Sequence, residues 1–276
     1  MQNSTIQLLV TFDQNYIAPF QTMLKSLIVN NPQETFQIWL LHSSILPEDL
    51  NQLTEYCSAQ RVSLTAIQVD RTIFKDAPTS KRYPQEMYYR LLAPLILPES
   101  IDRILYLDPD ILVINPVRPL WETRLPEYAF AAADHSIVPD MVDHVNRIRL
   151  NTGHAYFNTG VILMDMGAAR RLVNTNDIFE YVRTHSAELL LPDQDIFNCL
   201  YGAYVKQLDD AVWNYDARRF SAYKLNSGGK YDMDWVMKNT VFLHFCGKKK
   251  PWKASHSSRF SALYKHYMHL AQRQAE

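Results

Sequence analysis

From residue 6 onward, short apolar runs of strand length alternate with stretches whose apolar residues recur every three or four positions, and this alternation restricts the fold more than any other feature. Ile6 to Val10 is such a run, and Ile17, Phe20, Leu24 and Leu27 follow at helical spacing. Phe36 to Leu41 is again strand-like, Leu50, Leu53 and Cys57 line one face of a helix starting after Pro47, and Val62 to Val69 reads as a third strand. A repeated β-α-β order predicts a mainly parallel sheet covered by helices on both faces, because parallel neighbours need a crossover and the crossovers bury the sheet. Tyr89, Leu92 and Ile96 suggest another helix ahead of Ile104-Leu105-Tyr106-Leu107, an unbroken apolar run expected of a central strand. Ligands of such sheets bind beyond the carboxyl ends of the strands, so the residues after Leu107 are the first place to look for chemistry.

The second half is less regular, with strand candidates at Ala129 to Ala133, Val161 to Met164 and Val241 to Phe245. No linker, repeat or low-complexity segment divides the 276 residues, which are expected to form one continuous domain over 1–252 and an extension over 253–276. With 28 Lys+Arg against 29 Asp+Glu there is no general basic field, and nucleic acid is not an expected partner. Only 7 glycines are present and no glycine-rich phosphate loop is visible, so a phosphorylated ligand needs another grip. Cys57, Cys199 and Cys246 are far apart and in no Cys-x-x-Cys pair, as expected of ordinary thiols in a reducing compartment. The first residues lack a basic, then apolar, leader pattern, which predicts a cytoplasmic protein, at most peripheral at the inner face of the membrane.

Directly after the central run stands Asp108-Pro109-Asp110. In extended backbone, positions i and i+2 project to one side, so both carboxylates could face one cation, and proline biases Asp108 towards extended geometry. The same pattern recurs at Asp193/Asp195 and Asp232/Asp234, but only the first pair ends a fully apolar strand. A second strand end supplies His244, followed by Gly247, Lys248, Lys249, Lys250, Pro251 and Trp252. Two carboxylates and one imidazole suit Mn²⁺ better than Mg²⁺ or Zn²⁺, and the lysines offer counter-charge for a diphosphate.

Thr11-Phe12-Asp13-Gln14-Asn15-Tyr16, Tyr89-Arg90-Leu91, Tyr106-Leu107-Asp108-Pro109-Asp110, Phe157-Asn158-Thr159-Gly160-Val161, Leu191-Pro192-Asp193-Gln194-Asp195-Ile196-Phe197-Asn198, Trp213-Asn214 and His244-x-x-Gly247-x-x-Lys250-Pro251-Trp252 occur in this order. Together they resemble the glycosyltransferase family 8 proteins of the GT-A fold, a group that includes bacterial lipopolysaccharide galactosyl- and glucosyltransferases and glycogenin. The resemblance implies an α/β, Rossmann-like sheet with a C-terminal helical extension, and a metal-dependent retaining transfer of glucose or galactose from a UDP-sugar to a saccharide or lipid-linked acceptor. It implies a uridine pocket at Asp13, Asn15 and Tyr16, and an arginine near the nucleotide and donor sugar at Arg90. Asp108, Asp110 and His244 match the metal set, for Mn²⁺ or else Mg²⁺; Asp108 also counts among the donor-binding residues, with Lys250 and the Gly247 backbone at the diphosphate. Asp134, Asn158, Asp193 and Gln194 would surround the hexose. Gln194 would lie near the anomeric carbon, and Asp195 is the alternative candidate nucleophile. In isolation, Arg90 reads as a surface ion pair, Tyr16 as a helix-edge core aromatic and Asp193 as a helix cap.

After Trp252, Phe260, Tyr264 and Tyr267 recur at helical spacing beside Lys253, Arg259, Lys265 and Arg273, which suits either an interfacial membrane contact or packing onto the domain. Acceptor contacts are expected from a loop over Ile137 to Ala155. Two other readings use the same motifs: a nucleotide-sugar binder without turnover, and a haloacid-dehalogenase-type phosphatase, whose second aspartate would be followed by a Gly-Thr-like turn where Ile111-Leu112-Val113 stands here.

Overall fold

The computed structural model describes residues 4–75, 77–79, 84–134, 146, 149–150, 152–253 and 258–273. Strand β1 (Ile6–Thr11) leads into helix α1 (Ile17–Asn30), which buries Phe20, Met23, Leu24 and Leu27 along one stripe. Strand β2 (Phe36–His42), helix α2 (Pro47–Ala59) and strand β3 (Ser63–Gln68) extend the sheet outward from one side of β1. Pro47 takes the first helical position, with Glu48 and Asp49 in the first turn, so α2 starts one residue ahead of the expected start after Pro47. Helix α3 (Tyr89–Ile96) returns the chain to strand β4 (Arg103–Leu107), which pairs with the other side of β1.

With β6 (Phe130–Ala133), β7 (Val161–Asp165) and β8 (Val205–Leu208) these strands form a seven-stranded sheet in the order β3-β2-β1-β4-β7-β6-β8. The first four run parallel, β7 is antiparallel to both β4 and β6, and β6 and β8 are again parallel. The winding direction reverses between β1 and β4, so the carboxyl ends of these two strands open a crevice. Both are buried on both faces: Leu8, Val10, Leu105 and Leu107 meet α1 on one side. Leu9, Ile104 and Tyr106 meet α3, α4 (Met166–Leu172), α5 (Thr175–His185) and α6 (Pro192–Tyr201) on the other. The expected third strand is an edge strand with most side chains exposed.

Beyond β4 the chain enters a second sheet of three strands, in the order β5 (Ile111–Val113), β10 (Phe242–His244) and β9 (Tyr215–Asp216). Its register sets His244 opposite both Ile111 and Asp216. Helices α7 (Phe220–Asn226) and α8 (Met233–Asn239) close over it. The Asp108-Pro109-Asp110 segment joins the two sheets as a turn, which corrects the expectation of extended backbone there. The chain must change sheets within three residues, and the turn falls on Pro109 and Asp110, directly after Asp108.

The C-terminal aromatic stripe faces inward. Helix α9 (Ser261–Gln272) packs along α1, with Phe260, Tyr264 and Tyr267 exposed by only 1%, 0% and 8%. Tyr264 stands edge-on to Phe245 at 5.2 Å, and the Tyr267 hydroxyl accepts from Asn30 Nδ2 at 2.8 Å. An interfacial helix needs that stripe at the surface, so the membrane reading loses its apolar face. Among the described residues no helix is long and apolar enough to cross a membrane.

Candidate active site

The crevice is a cavity of about 360 Å³ whose wall includes Asp13, Tyr16, Asp108, Asp110, Gln194 and His244. At the end of β1, Asp13 turns the chain: its carboxylate accepts from the Asn15 backbone at 2.9 Å and from Asn15 Nδ2 at 3.0 Å. Asn15 is therefore engaged with Asp13, and its exposed side chain does not line the cavity. Tyr16 meets Trp252 edge-on at 5.6 Å, and burial pushes its hydroxyl pKa up to about 12.

At the end of β4, Asp108 Oδ1 accepts from the Tyr106 hydroxyl at 2.6 Å and pairs with Arg90 Nη2 at 2.9 Å. Arg90 is no surface ion pair. It is 7% exposed, donates to Thr159 and Met87 carbonyls, stacks 4.3 Å above the Tyr106 ring, and reaches Asp193 Oδ2 at 3.3 Å. Burial alone would lower its pKa, but the Asp108 carboxylate holds it above the ordinary arginine value. Burial raises the Asp193 pKa, with Arg90 opposing. Asp193 lies one residue inside α6, after Pro192, and Leu191 occupies the cap, so the helix-cap reading of Asp193 does not hold.

Asp110 and Asp108 converge with His244: their ligand atoms all lie within 4.8 Å of one another. His244 Nε2 is 3.2 Å from Asp110 and 3.7 Å from Asp108. Its Nδ1 faces Asn214 Oδ1 at 2.9 Å, so Nδ1 donates there and Nε2 is the nitrogen turned to the carboxylates, carrying a proton against them or, once deprotonated, offering its lone pair to a cation. This oxygen-rich set with one oriented imidazole fits a divalent cation. Burial works against protonation of His244, yet the neighbouring Cys246 thiol and Asp110 carboxylate hold its pKa well above the usual value. Burial likewise opposes the ionised Asp110, but Lys250 and His244 keep its pKa well below the carboxylate range. Lys250 makes a short ion pair with Asp110, while Lys248 and Lys249 are exposed, so only one of the three lysines turns inward.

A chain of side-chain amides leads from this cluster across the crevice. Asn214 Nδ2 donates to Asn158 Oδ1 at 2.8 Å, and Asn158 Nδ2 donates to Gln194 Oε1 at 3.1 Å. Asn158 Oδ1 also accepts from the Gly160 backbone at 2.9 Å, and Thr159 donates to Asp193 at 3.1 Å. Glycine is required at 160 because a Cβ there would stand 2.3 Å from His244 Cε1. Gly247 adopts φ +84°, a left-handed conformation that side chains disfavour.

Besides Asn15, two further expected residues, Asp195 and Asp134, do not line the cavity. Asp195 is fully buried, accepting from Tyr156 at 2.6 Å, from Arg149 at 2.7 Å, and from the Leu190 and Leu191 backbone. Asp134 ends β6 and accepts from Gln207 at 2.9 Å. The expected acceptor loop lies outside the described residues over 137–145, 147–148 and 151. Asn214 was visible only as part of Trp213-Asn214, and Arg218, which also lines the cavity, had no sequence signal.

A model of the family described as glycosyl transferase family 8 matches residues 7–256. General stress protein A of Bacillus subtilis (strain 168) is 28% identical over 93% of this chain and 90% of its own length. A lipopolysaccharide 1,2-glucosyltransferase of Escherichia coli is 25% identical over 87% of this chain and 71% of its own. Among solved structures, the galactosyltransferase LgtC in complex with donor and acceptor sugar analogs superposes with a TM-score of 0.81 at 21% identity, covering 96% of each chain. The mostly parallel sheet flanked by helices is the GT-A arrangement.

Proposed function

The chain belongs to glycosyl transferase family 8, and from that premise we propose that it is a Mn²⁺-dependent retaining hexosyltransferase, moving glucose or galactose from a UDP-sugar to a saccharide or lipid-linked acceptor. The observation that carries this reading is the unbroken path Gln194–Asn158–Asn214–His244, which couples the expected donor-sugar pocket to the Asp108/Asp110/His244 cluster. Tyr16 and Asp13, at the β1 end, suit a base and its imide N–H. A divalent cation held by Asp108, Asp110 and His244 would neutralise the charge that grows on the departing diphosphate. Two carboxylates and an imidazole favour Mn²⁺ over Mg²⁺ for that place.

Lys250 and the Gly247 N–H supply fixed positive ends on the same side. Arg90 holds Asp108 and Asp193 in place, so both carboxylates keep their orientation without solvent. Gln194 presents an amide, a poor nucleophile, and Asp195 is sealed by four hydrogen-bond donors. Departure and attack on one face of the sugar, through a short-lived oxocarbenium pair, suit these residues better than a covalent glycosyl-enzyme. Asp195 then serves as a positioning residue that anchors the start of α6. Incubation with UDP-glucose and UDP-galactose, with Mn²⁺ and with EDTA, tests the reading: Mn²⁺-dependent UDP release is expected. Absence of both turnover and metal-dependent UDP binding would sink it.

A further inference from the structure

Asp216 ends β9 inside the crevice wall and is 2% exposed. Its carboxylate clamps Arg218: the backbone N–H donates to Oδ1 at 3.0 Å, Nε to the same oxygen at 2.9 Å, and Nη2 to Oδ2 at 2.6 Å. The guanidinium is pressed against Gly247, where a Cβ would stand 2.5 Å from Nη1, so glycine's missing side chain leaves room for it. Arg218 is part of the cavity wall, and among the described residues its Nη1 donates to none. The Arg218 side chain is 50% exposed, whereas those of Asp110, His244 and Arg90 are 8%, 5% and 7% exposed. Arg218 therefore stands at the mouth of the cavity above a buried floor.

A guanidinium fixed on one edge with a free corner is a preorganised receptor for an anionic oxygen, because the side-chain entropy of binding is already lost. Lys250 lies on the Tyr16 side of the metal cluster, where it serves the donor. A ligand meeting the half-exposed Arg218 approaches from solvent, the direction from which an acceptor must come once a donor covers the floor. Resting on the transferase reading above, we infer that Arg218 selects an acceptor that carries a phosphate or carboxylate group close to the hydroxyl to be glycosylated.

The test uses matched probes, methyl glucoside against glucose 6-phosphate and glucuronate, with the wild-type chain, Arg218→Gln and Arg218→Lys. Binding to the enzyme with UDP and Mn²⁺ and kcat/KM with a turned-over donor are both measured. The wild-type chain is expected to prefer at least one anionic probe by about tenfold or more, the size of a charge-assisted hydrogen bond. Arg218→Gln should collapse that ratio, and Arg218→Lys should retain part of it; whether the phosphate or the carboxylate is preferred identifies the group. Equal handling of neutral and anionic probes by the wild-type chain overturns the inference. So does a tenfold loss of UDP affinity in Arg218→Gln without acceptor, which would assign the arginine to the diphosphate. Failure of the transferase reading itself is distinct, since Mn²⁺-dependent UDP binding would then be missing from the wild-type chain.

Discussion

Gly160 shows how tightly single residues are fixed here, since the His244 ring lies where its side chain would be. Gly160→Ala must displace the imidazole and should weaken Mn²⁺-dependent UDP binding by tenfold or more, measured by calorimetry, with a far smaller change in melting temperature. Asp110→Ala should abolish that binding, while Gln194→Ala should spare it and lower kcat; the opposite pattern would contradict the assigned roles. The histidine and two aspartates were legible because His244 ends one apolar strand and the Asp-Pro-Asp turn directly follows another. Arg90 was legible only through the family motif and not from its own residue type, because whether a helical arginine is buried depends on two carboxylates 18 and 103 positions away, found here at 2.9 and 3.3 Å. Arg218 was invisible, since its role depends on a glycine from another strand end.

At the scale of elements, apolar periodicity located β1, α1, α2 and β4 well, because burial on a regular element writes itself into the sequence. It could not show that β7 inserts antiparallel between β4 and β6, because pairing partners leave no local trace. Nor could it say which way α9 faces. Phe260, just ahead of that helix and 1% exposed, anchors it to the small sheet, and Phe260→Ala should cost about 3–5 kcal/mol in chemical denaturation. The one-turn helix Asp210–Trp213 carries a buried acid, Asp210, whose pKa is raised to about 6, mainly by burial and further by Asp134 and Asp209, against the Tyr223 hydrogen bond. Its ordinary value is 3.8, so between pH 4 and 6 the folded state keeps a proton that the unfolded chain releases. Stability should fall as pH rises through that window and level off above it. Asp210→Asn should therefore raise the melting temperature at pH 7, by a stabilisation on the order of 2 kcal/mol, and change it little at pH 4.

For the molecule as a whole, a net charge of -1 conceals local compensation at the crevice. Arg90, Lys250 and the clamped Arg218 each neutralise a carboxylate there. A cation held by Asp108, Asp110 and His244 would compete with Lys250 for Asp110, and the ammonium would then be available to a diphosphate. Mn²⁺ alone should consequently bind weakly, and Mn²⁺ with UDP should raise the melting temperature by more than the sum of the two separately, as thermal scans of the four conditions would reveal.

The middle strand of the small sheet, β10, also governs when these groups can meet. Asp108 and Asp110 leave the large sheet early in the chain, but the partner that completes their cluster arrives more than 130 residues later and must slot between two strands already made. During synthesis the Asp108/Asp110/His244 cluster therefore stays incomplete until β10 has emerged, and nascent chains carry the two aspartates without their imidazole partner.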